Sequence, residues 1–276
     1  MWVIDRGQDG MFTSATNLSP SKILVFDLNS NTLIREIIIR QNLTPGQSIY
    51  FEKTVDINND ACAKAFAYLA DPIGFGLLVY DWEANYLRRL SNAYMFFDPQ
   101  SRMVDNLQVK DGIMGLALSP IGSDGFRSLY FHVLASYNKY NVSTQVLQNP
   151  RLSLDFTRFK LMGNRGEKSQ YSIQRLDEKS GVLFYTEVQK KGIGCWNSKL
   201  NPNVYSTATN GMVVVDRTRL TFPSALIIDK KRNVWVISNS LFLFFTNSLN
   251  PNKYNYRVLF APADILIKDT ICDGNN

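Results

Sequence analysis

The sequence predicts an all-β fold, a β-propeller, from three observations. A short apolar, aromatic-rich strand ending on a small or polar residue recurs five times, at residues 2–5, 66–71, 129–132, 182–186 and 234–239. The copies end about 50 to 65 residues apart, too far for a solenoid and right for a blade of three or four strands. Turn signals such as Gly125, Lys179-Ser180-Gly181 and Lys230-Lys231-Arg232-Asn233 precede most copies, and helical periodicity is almost absent. The repeated strand reads as the innermost of each blade, its polar end at one mouth of a central channel.

The elements follow in order. Residues 7–20 read as a long loop, and 22–27 with 32–39 as a hairpin turning at Asn29-Ser30-Asn31. A blade runs from Ile49 through 66–71 and 76–81 to 86–90, with Pro72-Ile73-Gly74 as a turn. The next spans 112–118 to 143–147, the fourth 170–215 and the fifth 225–260. Leu241 to Phe245 reads as a buried strand, and 264–272 as a short helix or closing strand. The first copy begins at Trp2, so the expectation is a six-bladed ring with roughly its first blade outside this chain. One domain is expected over 1–272, with a disordered tail at 273–276.

Composition narrows the function classes. Thirty Lys and Arg against 24 Asp and Glu leave a net charge of +6, and the basic clusters Lys190-Lys191 and Lys230-Lys231-Arg232 lie at turns. No basic stripe interleaved with exposed aromatics is present, so no nucleic-acid partner is expected. No apolar run of about 18 residues is present either, so no membrane span is expected. Three acceptor sequons, at Asn17, Asn42 and Asn141, sit beside predicted turns and point to a secreted glycoprotein. Met1 leads straight into a core strand with no signal peptide, so the chain reads as an N-terminally truncated piece of such a protein.

Cys62, Cys195 and Cys272 are an odd number. In an oxidising compartment one pair and one unpaired thiol is the simplest outcome. A Cys195–Cys272 bridge would clasp the last blade to the C-terminus, leaving Cys62 unpaired; three free, buried cysteines are the other reading.

No catalytic constellation is legible. His132 is the only histidine and lies inside an aromatic strand. A satisfied structural role fits it better than that of a general base. Neither zinc spacing nor a phosphate loop is present, so no metal and no cofactor are expected. The stretch Gly163-Asn164-Arg165-Gly166 reads as a turn. Asp5, Asp71, Asp111, Ser224 and Asn239 each begin or end a predicted inner strand, where polar groups from several blades converge on one volume. They are the candidate ligand-binding set, with turn capping as the alternative. Asp71, Asp111 and His132 are the candidates for acid–base work.

Several phrases resemble the yellow/major royal jelly protein family of insects. They are Asp111-Gly112-Ile113-Met114-Gly115-Leu116-Ala117-Leu118-Ser119-Pro120 followed by 129–132, then 176–184, Gly194-Cys195-Trp196-Asn197-Ser198-Lys199, Thr221-Phe222-Pro223 and 266–272. They run in family order, and Cys62 with Ala65-Phe66-Ala67-Tyr68 lies closer to the yellow branch. The resemblance implies a secreted, glycosylated six-bladed propeller acting in cuticle pigmentation, dopachrome conversion by an isomerase or tautomerase, or amine scavenging. It also implies a monomer whose ligand is a small aromatic amine or catechol. In amine-binding members the ligand is held by phrases matching 222–225 and 237–241. Ser224 and Asn239 match their hydrogen-bonding positions, whereas Leu241 stands where those binders place an aromatic. A cysteine usual near Ser19 is absent, which fits an orphaned Cys62.

Overall fold

The computed structural model describes residues 1–10, 14–58, 62–101, 103–104 and 107–274. Five antiparallel sheets follow one another along the chain as propeller blades. The first has three strands, Trp2–Asp5, Lys22–Asp27 and Thr32–Ile38. Three four-stranded sheets follow, the second blade running from Glu52–Asp56 to Tyr86–Leu90, the third from Ile113–Leu118 to Lys160–Asn164 and the fourth from Tyr171–Asp177 to Asn210–Val215. The fifth pairs Pro223–Ile228, Asn233–Asn239 and Tyr256–Pro262.

The repeated phrase is not the innermost strand. The inner strands are Glu52–Asp56, Ile113–Leu118, Tyr171–Asp177 and Pro223–Ile228, and the repeat supplies the second strand of those four blades. In the first sheet it is the edge strand, paired with Lys22–Asp27. The physical reason is burial. A second strand has a strand on each side and a blade on each face, so Val182–Glu187 is buried at every position. Inner strands carry polar residues, such as Glu52, Gln174 and Arg175, which dilutes their apolar signal.

Faces of successive sheets supply the core. Ile23, Val25 and Ile37 of the first blade meet Ala67, Leu69 and Leu78 of the second. Tyr68 and Val79 pack against Leu116 and Phe131 of the third. Tyr130 and Ala117 then meet Tyr171, Tyr185 and Trp196 of the fourth. The last interface joins Phe184 and Ile193 to Leu226, Val236, Ala263 and Ile267. Trp196 is fully buried, and its indole Nε1 donates to Val204 O at 2.9 Å. On the fifth blade, Ile227 (57%), Val258 (64%) and Phe260 (59%) stay exposed.

Several local expectations change. Leu241–Phe245 is a short helix rather than a buried strand, because Asn239 Oδ1 accepts from Leu241 N and turns the chain, leaving three of the five side chains exposed. Ala263–Ile267 is helical. The third blade continues past 147: Thr144–Gln148 is a helix capped by Ser143, and Lys160–Asn164 completes the sheet. The 7–20 loop contains a small ribbon, Gln8–Asp9 against Thr16–Asn17. Arg165, read as part of a turn, is buried. Asp273, read as tail, is buried and accepts from Asp269 N, while 275–276 lie outside the described residues. Asn17 and Asn42 are exposed, but Asn141 lies inside a strand paired on both sides. No helix among the described residues is long and apolar enough to cross a membrane.

Cys195 and Cys272 are joined by a disulfide across 77 residues, tying the fourth blade to the C-terminal segment, and Cys62 is free and exposed. Asn197 Nδ2 donates to Cys272 O at 3.0 Å beside the bridge.

Candidate functional site

Three inner strands bulge at the same height. Between the first and second pairs of the register one extra residue is inserted: Met114 between Ile113 and Gly115, one residue between Tyr171 and Gln174, and Ser224 between Pro223 and Ala225. A bulge re-aims a side chain out of the ladder. Met114, Ser172 and Ser224 accordingly line one cavity of about 580 Å³ at the channel mouth. Its wall is mostly apolar, with Phe51, Phe222, Phe242 and Leu241, and its polar groups include Arg6, Asp111 and Asn239. Phe222 and Phe242 meet edge to face at 5.1 Å, and the Arg6 guanidinium lies 5.1 Å from the Phe51 ring. Below the mouth, Arg175 on the fourth blade bonds Glu52 on the second at 2.7 Å, an ion pair between inner strands.

The candidate residues divide here. Asp111, Ser224 and Asn239 line the cavity. Asp111 is half-buried and, among the described residues, accepts no hydrogen bond and meets no cation, and burial pushes its carboxyl up to about 6. Ser224 and Asn239 satisfy each other: Asn239 Nδ2 donates to Ser224 Oγ at 3.0 Å.

Asp5 and Asp71 are not in the lining. Asp5 accepts from Gly7 N at 2.9 Å and stands 3.9 Å from Lys22 Nζ. Asp71 is fully buried, accepting from Ile49 N and Gly74 N while Arg89 reaches Oδ2 at 2.8 Å. It pins the Pro72-Ile73-Gly74 turn rather than offering a charge to the channel.

His132 is fully buried, stacked on Tyr171 at 3.4 Å between centroids, and its Nε2 donates to Tyr171 O at 2.8 Å. Burial, with Lys139 and Arg165 nearby, holds its pKa well below the usual histidine value, so the ring is neutral at pH 7. A Cβ at Gly115 would stand 2.3 Å from His132 Cε1, so glycine there makes room for the ring. No group of three or more His, Cys, Asp or Glu side chains able to hold a metal occurs among the described residues.

Sequence reasoning missed Arg6, Phe51, Met114, Ser172 and Phe242. The first two adjoin recognised strand ends, and the bulges had no sequence signal, since a pleat of period two carries no mark of an inserted residue.

The sequence model of the major royal jelly proteins matches residues 1–272. The chain belongs to the major royal jelly protein family. Among curated members of this family, it is 35% identical to protein yellow of Drosophila melanogaster over 283 positions, covering all of this chain and 51% of that protein. Protein yellow of Drosophila madeirensis is likewise 35% identical, with 49% of it covered. The chain thus spans about half the length of the curated relatives it matches. Among solved structures, a putative 6-phosphogluconolactonase from Bacteroides uniformis is similar at a TM-score of 0.49 and 10% identity, covering 95% of this chain and 68% of that one. Virginiamycin B lyase from Staphylococcus aureus is similar at 0.48 and 12% identity, covering 80% and 58%.

Proposed function

We propose that this chain is part of a secreted, yellow-like binding protein that acts in insect cuticle pigmentation by holding a small catecholamine-derived or aromatic amine at the channel mouth. The carrying observation is Asp111: a half-buried carboxylate that, among the described residues, forms no ion pair, in a cavity walled by Phe51, Phe222 and Phe242 with Arg6 and Lys110 also in the lining. A ligand ammonium would meet the carboxylate and its ring the apolar wall, with Ser224 and Asn239 within the same lining. The disulfide and the exposed sequons at Asn17 and Asn42 support secretion and glycosylation. The exposed apolar side chains of the first and fifth sheets, such as Ile34 and Val258, support completion of the ring by a sixth blade.

Calorimetric titration with dopamine, serotonin and dopachrome, with turnover followed in parallel, tests the reading. Dopamine is expected to bind without turnover, and Asp111→Asn to weaken it about tenfold or more, as for loss of a charge-assisted hydrogen bond. The carboxyl must be ionised to pair with the amine. Affinity should therefore be full above about pH 6 and fall as pH drops below it. Equal affinity of Asp111→Asn and the unsubstituted protein at every pH would sink the proposal. Conversion of dopachrome is the second reading, because a carboxyl near 6 is poised as a general base. Turnover by the unsubstituted protein, lost in Asp111→Asn, decides for it. A scavenging role would instead require tight binding of serotonin and dopamine alike.

A further inference from the structure

Two further recesses border the fourth blade, with Lys190 in the lining of both, and neither shares a lining residue with the channel mouth. Glu187 ends the second strand of its blade, the position Asp71 holds in the second blade. There the likeness stops. Both Asp71 oxygens are bonded, whereas Glu187 Oε2 has no hydrogen-bond partner although the side chain is 1% exposed. Its other oxygen, Oε1, faces Arg165 Nε at 3.7 Å and Lys190 Nζ at 3.6 Å. The terminal nitrogens of Arg165 bond Tyr205 Oη and Ser169 O, while its Nε, like Glu187 Oε2, has no hydrogen-bond partner.

Glu187, Arg165, Lys190, Tyr185 and Thr207 line a pocket of about 210 Å³. Lys190 also borders a wider recess of about 740 Å³, together with Lys168, Arg217 and Gln189. Among the described residues, that recess has three cations and no carboxylate in its lining. Buried polar atoms are nearly always bonded, so Glu187 Oε2 calls for a donor. With two cations already on Glu187, the donor should be a neutral hydroxyl rather than an ammonium. The cations of the outer recess call for an anion at the ligand's other end.

We infer that this cleft is a second ligand site, for an anionic sugar whose hydroxyl donates to Glu187 Oε2 and whose phosphate or carboxylate meets Lys190, Lys168 and Arg217. Titration calorimetry with glucose 6-phosphate and with glucuronate tests it, with glucose and inorganic phosphate as controls. One of the anionic sugars is expected to bind at one equivalent, about tenfold or more tighter than inorganic phosphate, and glucose not at all. The better of the two identifies the anionic group. Arg217→Ala and Lys168→Ala, both exposed, should each weaken binding several-fold, and Glu187→Gln should remove the preference over inorganic phosphate. Asp111→Asn, at the channel mouth, should leave the affinity unchanged. Equal binding of inorganic phosphate and the sugars, loss of binding in Asp111→Asn, or no binding of either sugar would each overturn the assignment.

Discussion

Replacing Cys195 and Cys272 together by alanine is expected to cost about 4 kcal/mol, among the largest losses any pair of substitutions in this chain should produce. The bridge closes a loop of 77 residues. In the chain-entropy account, freeing a loop of that length returns about 4 kcal/mol of disorder to the unfolded state at 25 °C. The folded side loses too, because Cys195 and Cys272 are both fully buried in the cluster that holds Ala263 and Ile267 against the fourth and fifth blades. Asn197 then keeps only its bond to the 272 carbonyl as a tie to the chain end. Urea denaturation followed by tryptophan fluorescence should show the midpoint fall while the baseline of the folded state persists. An unchanged midpoint would mean that packing of the terminal helix alone secures the last blade.

Asp71→Ala should be comparably damaging, by about 3 kcal/mol or more, through a different cause. Asp71 has no exposed surface, and Arg89, its partner at 2.8 Å, is 11% exposed. Breaking a buried pair from one side leaves an uncompensated charge, typically at about 3–5 kcal/mol. The amides of Ile49 and Gly74 lose their acceptor in the same step. Arg89 retains the carbonyls of Leu43 and Gly74, which places the loss toward the lower end. Thermal unfolding should move down by roughly 5–10 °C for a domain of this size. Adding Arg89→Met to Asp71→Ala should recover part of that shift, since it removes the stranded charge. If the double variant is as unstable as the single one, the turn amides rather than the ion pair carry the effect.

These two sites show where sequence reading reached and where it stopped. The two cysteines could be paired on paper because cysteine is scarce and its chemistry admits few outcomes. Asp71 could be placed at the mouth end of a strand but not assigned a role. A carboxylate at a strand end is written the same way whether it faces a ligand or caps a turn; Arg89, 18 residues on, decides between them. Glu187 is the converse case. Nothing in the sequence marks it, because it ends a strand like any other, and only the fold sets Arg165 and Lys190 against one of its oxygens and leaves the other unbonded.

By itself the sequence determined the all-β class, the succession of blades and their approximate limits. Period-two alternation and turn residues act over a few neighbours and survive in the linear text. Of the five strand-end residues it offered for the channel mouth, Asp111, Ser224 and Asn239 line the cavity and Asp5 and Asp71 do not. Tertiary structure alone decided which strand of each blade lies innermost, since the most apolar strand is the one buried on both sides, not the one at the axis. It decided too which polar residues share the mouth. Bulges at Met114, by Ser172 and at Ser224 turn those side chains into one cavity beside Asp111, and an inserted residue shows itself only against the partner strand it fails to match.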